Sequence, residues 1–151
     1  MSASGLALLA AALWWGSLTV TAFITVPLLF THLPSPAMAG NMAAKLFTSQ
    51  TWIALGCGLL LMALSRGREA TARMDWANGA LLFVAGGVLL ALLVEFAVAP
   101  RILARENLKL WHGLGSAMYF VQWVCAGVTL WKVAGHQACH PRAGGDPERP
   151  A

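Results

Sequence analysis

Charged residues are scarce in this sequence, and polar stretches long enough to build a soluble surface are missing from most of it. Asp and Glu number six, Lys and Arg number ten, and charged residues make up 11% of the 151 residues, whereas hydrophobic residues make up 58%. Ordinary soluble domains contain roughly 25% charged and about 45–50% apolar residues. A soluble core of this size cannot bury so much apolar surface. The composition therefore excludes a soluble globular domain and predicts that lipid is the solvent.

The sequence also lacks the motifs of soluble enzymes and of nucleic-acid-binding proteins. It contains no glycine-rich phosphate loop, no nucleophile elbow and no Ser-His-Asp arrangement. Its net charge of +4 comes from Lys and Arg residues that flank apolar runs, where lipid headgroups favour them. Its three cysteines, Cys57, Cys125 and Cys139, do not form a disulfide framework. We therefore expect the lipid bilayer as a partner and no nucleic acid.

Four apolar runs are each close to the roughly 20 residues that cross the hydrocarbon core of a bilayer. They cover residues 6–30, 46–64, 76–99 and 110–134. The first run has no basic segment before it and is longer than the core of a signal peptide, so we expect a retained helix. The pattern predicts an all-α integral membrane protein, a four-helix transmembrane bundle within residues 1–135. Residues 136–151 are rich in Pro, Gly and charge, and we expect a disordered tail.

The distribution of basic residues predicts an orientation. With four spans, both chain termini lie on the same side of the membrane. The connections on the terminal side contain more Lys and Arg residues, namely Arg66, Arg68, Arg73, Lys132, Arg142 and Arg149, than those on the other side, namely Lys45, Arg101, Arg105 and Lys109. Cytoplasmic segments carry such an excess. We expect a multi-pass protein of a bacterial inner membrane with both termini in the cytoplasm.

Polar residues recur at helical spacing on the first and fourth runs. On the first run they are Ser17, Thr21 and Thr25; on the fourth they are His112, Ser116, Tyr119 and Trp123. Residues spaced by three and four share one face of a helix, so we expect the two polar stripes to face each other. Ordinary hydrogen bonding between packed helices explains such stripes equally well.

The third run contains a carboxylate, Glu95, a few residues before its exit at Pro100, which corresponds to roughly 6 Å of helix. An ionisable side chain at that depth is expensive and is usually turned inward towards a partner. Arg101 and Arg105 are the nearest residues that can bind a carboxylate with two parallel hydrogen bonds. Three roles stay open: a structural ion pair, a side chain that reaches the headgroups, and a carboxylate that handles a proton or a substrate.

Two histidines, His32 and His112, emerge at the same membrane face. Imidazoles on neighbouring helices can ligate haem iron or a copper ion, and Met38, Met42 and Met118 would add soft ligands for copper. The alternative for His112 is an interfacial histidine packed beside Trp111. His136, Cys139 and His140 lack the paired-cysteine form of a zinc or haem-attachment motif. We therefore consider haem or copper only at His32 and His112.

Small residues on the third run predict close helix packing. Gly79 and Gly86 share one face, and Gly87 follows directly. Glycines let another helix approach closely in a membrane, which indicates a homo-oligomer or a membrane partner protein as a further hypothesis.

Four short motifs carry a resemblance to a known family. They are LWWGSLTVTAFITVPLLF with Gly16 and Pro27, AGNMAAKLF, PRI from Pro100, and LWHGLGSAMYFVQWVCAG around His112. In combination they resemble the bacterial membrane family called domain of unknown function 4149, which is similar to eukaryotic transmembrane protein 205. The resemblance implies a four-helix membrane bundle, distantly similar to copper-resistance D-type proteins and to the haem-binding membrane protoporphyrinogen oxidase. It also implies Pro27, Arg101 and His112 as site residues.

These observations lead to three functional hypotheses. The first is a small-ligand or metal-binding protein, accessory to transport, with a polar pocket at one membrane face and no assigned catalytic residue. Its pocket would be lined by Glu95, Arg101, His112, Tyr119, Thr21, Thr25 and Pro27. The second is a haem-binding membrane oxidoreductase with His112 and His32 as ligands. The third is a structural subunit of a membrane complex.

Overall fold

The computed structural model describes residues 2–66, 75–104 and 106–139, and these residues form four long helices with no strand among them. The first helix consists of Ala3–Val20, a π-helical segment Thr21–Thr25, and Val26–His32. The second is Pro36–Arg66, and the fourth is Leu108–Cys139. The third consists of Asp75–Leu93, a π-helical segment Val94–Val98, and Ala99–Leu103. The predicted all-α four-helix bundle is confirmed.

All four helices are long and apolar enough to cross a membrane. The qualifying segments are Ala3–His32, Pro36–Ser65, Gly79–Leu103 and Leu108–Gly135. The predicted runs fall inside the four helices, but the helices extend beyond them because helix caps and amphipathic ends continue the hydrogen bonding past the apolar stretch. The fourth helix continues to Cys139, into the segment expected to be a tail. The rest of that tail lies outside the described residues.

Two short turns make sequential helices antiparallel neighbours. At the first turn Leu33 is extended, and the Ser35 hydroxyl accepts a hydrogen bond from the backbone N–H of Met38 at 3.3 Å, which caps the second helix. The second turn ends at Asn107, whose φ of 36° places it in the left-handed region that asparagine tolerates. These turns bring His32 and Leu108 to the same end of the bundle.

Each π-helical segment ends shortly before a proline. Pro27 follows Thr21–Thr25, and Pro100 follows Val94–Val98. Proline has no N–H to donate, and its ring collides with the preceding turn of a regular α-helix. A wider turn relieves that collision. The Thr25 hydroxyl also donates a hydrogen bond to the Val20 carbonyl at 3.2 Å, so this carbonyl in the widened turn has a side-chain partner.

Small side chains and one tryptophan build the centre of the bundle. Among the buried residues are Ala7, Ala11, Leu18, Ala54, Leu61, Ala80 and Ala126. Trp14 is fully buried and packs across the bundle against Gly87 of the third helix. Each helix contacts the helices before and after it, and the fourth closes the bundle against the first. Large apolar side chains such as Leu82 and Trp131 point outward, as expected for lipid-facing positions.

The glycines of the third helix do not form the single contact surface that their spacing predicted. A methyl group at Gly79 would meet the end of the Lys132 side chain, whereas one at Gly86 would meet nothing within 4 Å. Gly87 lies against Trp14 inside the bundle, so it is not available to a partner protein. On the second helix a methyl group at Gly58 would collide with the stiff Val88 side chain.

We expect Gly58→Leu to lower the free energy of unfolding by about 1–3 kcal/mol, because the added side chain overpacks the contact with Val88. Gly56→Leu is the matched control: Gly56 is exposed two residues earlier, with open space around its Cα. The measurement is the loss, on heating, of the size-exclusion peak of the folded protein in mild detergent. Equal stability of the two variants would contradict the close packing at Gly58.

Candidate functional site

Glu95 lies in the π-helical segment of the third helix and is half-buried. The hydroxyl of Thr48, on the second helix, donates to Glu95 Oε1 at 2.9 Å. This contact joins two helices at a carboxylate within a membrane-spanning segment. Glu95 was predicted from the sequence, whereas Thr48 was not. The signal was present in the polar run from Thr48 to Thr51, which interrupts the second apolar segment.

Arg101 does not take the predicted position beside Glu95. Its guanidinium carbon lies over the Trp111 ring, 4.3 Å from the ring centroid, in a cation–π contact at the exposed end of the bundle. Within the described residues no ion pair reaches the Glu95 carboxylate, and Arg105, the other predicted partner, is not among those residues. Arg101 lies six residues after Glu95 on the same helix, where it meets Trp111 of the fourth helix instead.

A second group of polar side chains lies deeper, between the first and second helices. Gln50 is 3% exposed; its Nε2 donates to Ser17 Oγ at 3.0 Å, and its Oε1 accepts from Thr21 Oγ1 at 3.4 Å. Ser17 in turn donates to the Trp14 carbonyl at 2.9 Å. The predicted stripe on the first helix therefore faces the second helix through Gln50, a residue that the sequence analysis did not select.

The fourth helix contributes Tyr119 to the same region. Its hydroxyl donates to the Leu18 carbonyl at 3.1 Å and lies close enough to the Thr21 hydroxyl to interact with it. The ring packs edge-on against Phe47, with centroids 5.3 Å apart. We call Ser17, Thr21, Gln50 and Tyr119 the inner polar cluster. It joins the first, second and fourth helices.

The polar stripe on the fourth helix is packed inside the bundle at one end and exposed at the other. Trp123 Nε1 donates to Thr19 Oγ1 at 2.9 Å, so this side chain contacts the first helix beside the predicted stripe. His112 and Ser116 are exposed, and the Ser116 hydroxyl donates to the His112 carbonyl at 2.9 Å. Only the inner half of the stripe therefore packs inside the bundle.

His32 lies at the end of the first helix and is exposed. Its Nδ1 lies 2.8 Å from Thr31 Oγ1 and 3.1 Å from the Leu28 carbonyl oxygen. In the tautomer with the proton on Nδ1, that atom donates to the carbonyl and Nε2 is the free acceptor. His32 and Thr25 both line a shallow cavity of about 350 Å³ at this end of the first helix. Pro27, one turn before it, is exposed.

The described side chains contain no group of three or more His, Cys, Asp or Glu residues that could hold a metal ion. The pairing of His32 with His112 stays a prediction. The side chains of His136, Cys139 and His140 lie outside the described set. The predicted pocket residues thus separate into the Glu95–Thr48 contact, the inner polar cluster with Thr21 and Tyr119, the cavity with Thr25 and His32, and the exposed Arg101 and His112.

The sequence matches one known family. A family model described as "Domain of unknown function (DUF4149)" matches residues 9–110. No curated protein matches the chain. No solved structure matches it either.

Two buried glutamines provide a test of the inner polar cluster. Gln122 is 2% exposed, and its Nε2 has no hydrogen-bond partner among the described residues, whereas both polar ends of Gln50 are bonded. We expect Gln50→Leu to lower the free energy of unfolding by roughly 1–2 kcal/mol, because it removes hydrogen bonds between helices. Gln122→Leu should be neutral or stabilising, because it removes an unsatisfied buried group.

The measurement is chemical or thermal unfolding in detergent, with both variants prepared in parallel. Leucine has nearly the volume of glutamine, so the comparison isolates the hydrogen bonds. A loss at Gln122 as large as that at Gln50 would show that the cluster does not stabilise the bundle in the way its contacts indicate.

Proposed function

The chain belongs to this family of unknown function, and we propose that it binds a small ligand or a metal ion, as an accessory to transport, in a polar pocket at one membrane face. The observation that carries the proposal is the Glu95–Thr48 contact between the second and third helices. It places a carboxylate, with a hydroxyl already aimed at it, inside a segment that is apolar enough to cross a membrane.

A carboxylate in this position favours a cation. An ionised group within the hydrocarbon is expensive unless it is paired. A carboxylate accepts at about four lone-pair sites, and among the described contacts only Oε1 is engaged, by a neutral hydroxyl. No described cationic side chain pairs with it. A metal ion or a protonated amine would offset the charge and use the remaining acceptor sites.

The same end of the bundle offers a polar approach to Glu95. Lys45, Arg101, Glu106, Lys109 and His112 are all exposed there. Arg101 is held over Trp111, so its charge stays at the surface. The inner polar cluster lies further from this face and supplies hydroxyl and amide groups in the bundle interior. A ligand that enters from this face would therefore meet charged residues first and the half-buried Glu95 carboxylate next.

The types of side chain present favour different cations at different places. Carboxylate and hydroxyl oxygens suit hard cations and amines, whereas imidazole and thioether groups suit copper. Met38 and Met42 are 52% and 46% exposed at the start of the second helix, on the same face as His32 and His112. These imidazole and thioether groups make copper the first transition metal to test.

The haem-binding oxidoreductase remains the second candidate, because of His32. The Nδ1 atom of His32 lies 3.1 Å from the Leu28 carbonyl oxygen, and in the tautomer that donates to it Nε2 would face a metal, an arrangement common among ligating histidines. When bound, haem would supply redox chemistry, and His32 and His112 would be its ligands. An absorption spectrum of the purified protein tests this: a Soret band that disappears in His112→Ala supports it, and a folded, colourless protein rejects it.

We also propose that the membrane is the bacterial inner membrane and that both termini face the cytoplasm, which the excess of basic residues on the terminal side supports. A cysteine introduced at Pro34, in the turn between the first two helices, should then react with an impermeant thiol reagent added from the periplasmic side. Reaction only after the inner membrane is opened would reverse the orientation.

We expect Glu95→Gln to weaken binding of the cation by roughly 10- to 100-fold, because a charge-assisted contact contributes about 1.5–3 kcal/mol. Thr48→Val should weaken it less, since only a neutral donor is lost. The measurement is equilibrium dialysis of the detergent-purified protein against Cu(I), Zn(II), Mn(II) and a small primary amine.

Glu106→Gln is the matched control, because Glu106 is an exposed carboxylate at the same membrane face. It should bind as the unaltered protein does. Binding that is unchanged in Glu95→Gln, or lost equally in Glu106→Gln, would contradict a site at Glu95. Copper binding that depends on His112 and the exposed methionines instead would move the site to the surface.

A further inference from the structure

The third helix repeats the special features of the first at a constant spacing. The spacing that separates Pro27 from Pro100 also separates the π-helical segment Thr21–Thr25 from Val94–Val98. π-Helical turns are rare in proteins. Their recurrence at matched positions, each just before a proline, points to two related halves of the chain.

Buried positions follow the same spacing. Four of the five buried residues of Ala3–Val20, namely Ala7, Ala11, Trp14 and Leu18, correspond in order to the buried residues Ala80, Val84, Gly87 and Ala91 of the third helix, and the fifth, Ala10, corresponds to the half-buried Phe83. The second and fourth helices correspond with a spacing one residue shorter. There Ala43, Gln50, Ala54, Cys57 and Leu61 correspond to Gly115, Gln122, Ala126, Thr129 and Val133, and all ten are buried. Helical periodicity accounts for part of this agreement, but it does not account for the paired glutamines or the paired π-helical turns.

Contacts across the bundle join equivalent residues. Trp14 packs against Gly87, and these two positions correspond to each other. Phe47 packs edge-on against Tyr119, and these two also correspond. A contact between equivalent residues lies on a two-fold axis. The first and third helices run in the same direction, so this approximate axis runs along the membrane normal through the centre of the bundle.

We propose that the bundle is a fused pair of equivalent helical hairpins, residues 2–66 and 75–139, and that the inner face of each is a docking surface for a hairpin of the same design. Trp14 and Gly87 set the choice of partner. The tryptophan is fully buried, and a methyl group at Gly87 would lie 2.7 and 2.8 Å from two of its ring carbons. Two first hairpins would place two indoles in one space, so each hairpin accepts the other and rejects its own copy.

Comparison of the two hairpins also shows which residues serve packing and which belong to the proposed binding site. The positions equivalent to Glu95 and Thr48 are Ala22 and Phe120. The first hairpin has the matched buried residues Ala7, Ala11, Trp14 and Leu18 without a carboxylate at Ala22. The Glu95–Thr48 contact is therefore an addition to the paired hairpins that their packing does not require.

The test exchanges the equivalent residues in the full-length protein. Gly87→Trp and Trp14→Gly should each lower the apparent melting temperature in detergent by about 10 °C or more. The double variant W14G/G87W should regain at least half of that loss, because the indole then fills the same central space from the other side. The control W14G/G86W has the same composition, but Gly86 has open space around its Cα, so it should regain nothing.

A second exchange of smaller volume guards against variants that fail to fold. Leu18 and Ala91 are equivalent and buried, so L18A/A91L should be more stable than either single variant. The proposal is overturned if neither double exchange recovers stability relative to its single variants, or if the Gly86 control recovers as much as the Gly87 exchange. Since Glu95 and Thr48 are unchanged in every variant, cation binding by the stable variants reports separately on the proposed function, and W14G/G87W is the better of the two exchanges for this because Gly87 lies two turns from Glu95.

Discussion

The hydrocarbon core of the membrane gives backbone polar groups no water to bond, and the rest of the structure depends on that constraint. Only helices can satisfy their own N–H and C=O groups across such a region. Yet two of the four helices contain a proline in their interior, which removes a donor. The chain accommodates both with π-helical segments, Thr21–Thr25 and Val94–Val98. The widened turns are the places where the regular helix is already perturbed, and Glu95 and Thr21 both lie within them.

Packing inside the bundle relies on size complementarity, since lipid is as apolar as the core and gives helices little hydrophobic reason to associate. Alanine and glycine bring the backbones together, and Trp14 fills the central space that they leave. Hydrogen bonds from Gln50 and Tyr119 then fix how three helices meet. Glu95 and Thr48 differ from these groups, because the equivalent residues, Ala22 in the first hairpin and Phe120 in the second, are not polar.

Part of the candidate site was predictable from isolated residues. Glu95 stands out because a carboxylate in an apolar run is rare, and Tyr119 and Thr21 stand out by helical spacing. Thr48 and Gln50 were missed, because uncharged polar residues within a span are common and carry no sign of their partner. The expected pairing of Glu95 with Arg101 did not form. Proximity in sequence favoured it, but the Arg101 guanidinium lies over the Trp111 ring of the fourth helix instead.

The sequence by itself determined that the protein lies in lipid, how many helices it has and roughly where they end. The reason is that a span must be uncharged and long enough to match the thickness of the bilayer. Only the tertiary structure decided which polar groups meet, that Gly87 receives Trp14, and that the two hairpins correspond around a central axis. Those features depend on the rotation of each helix about its own axis and on contacts between residues far apart in the chain. No local pattern of residues specifies either one.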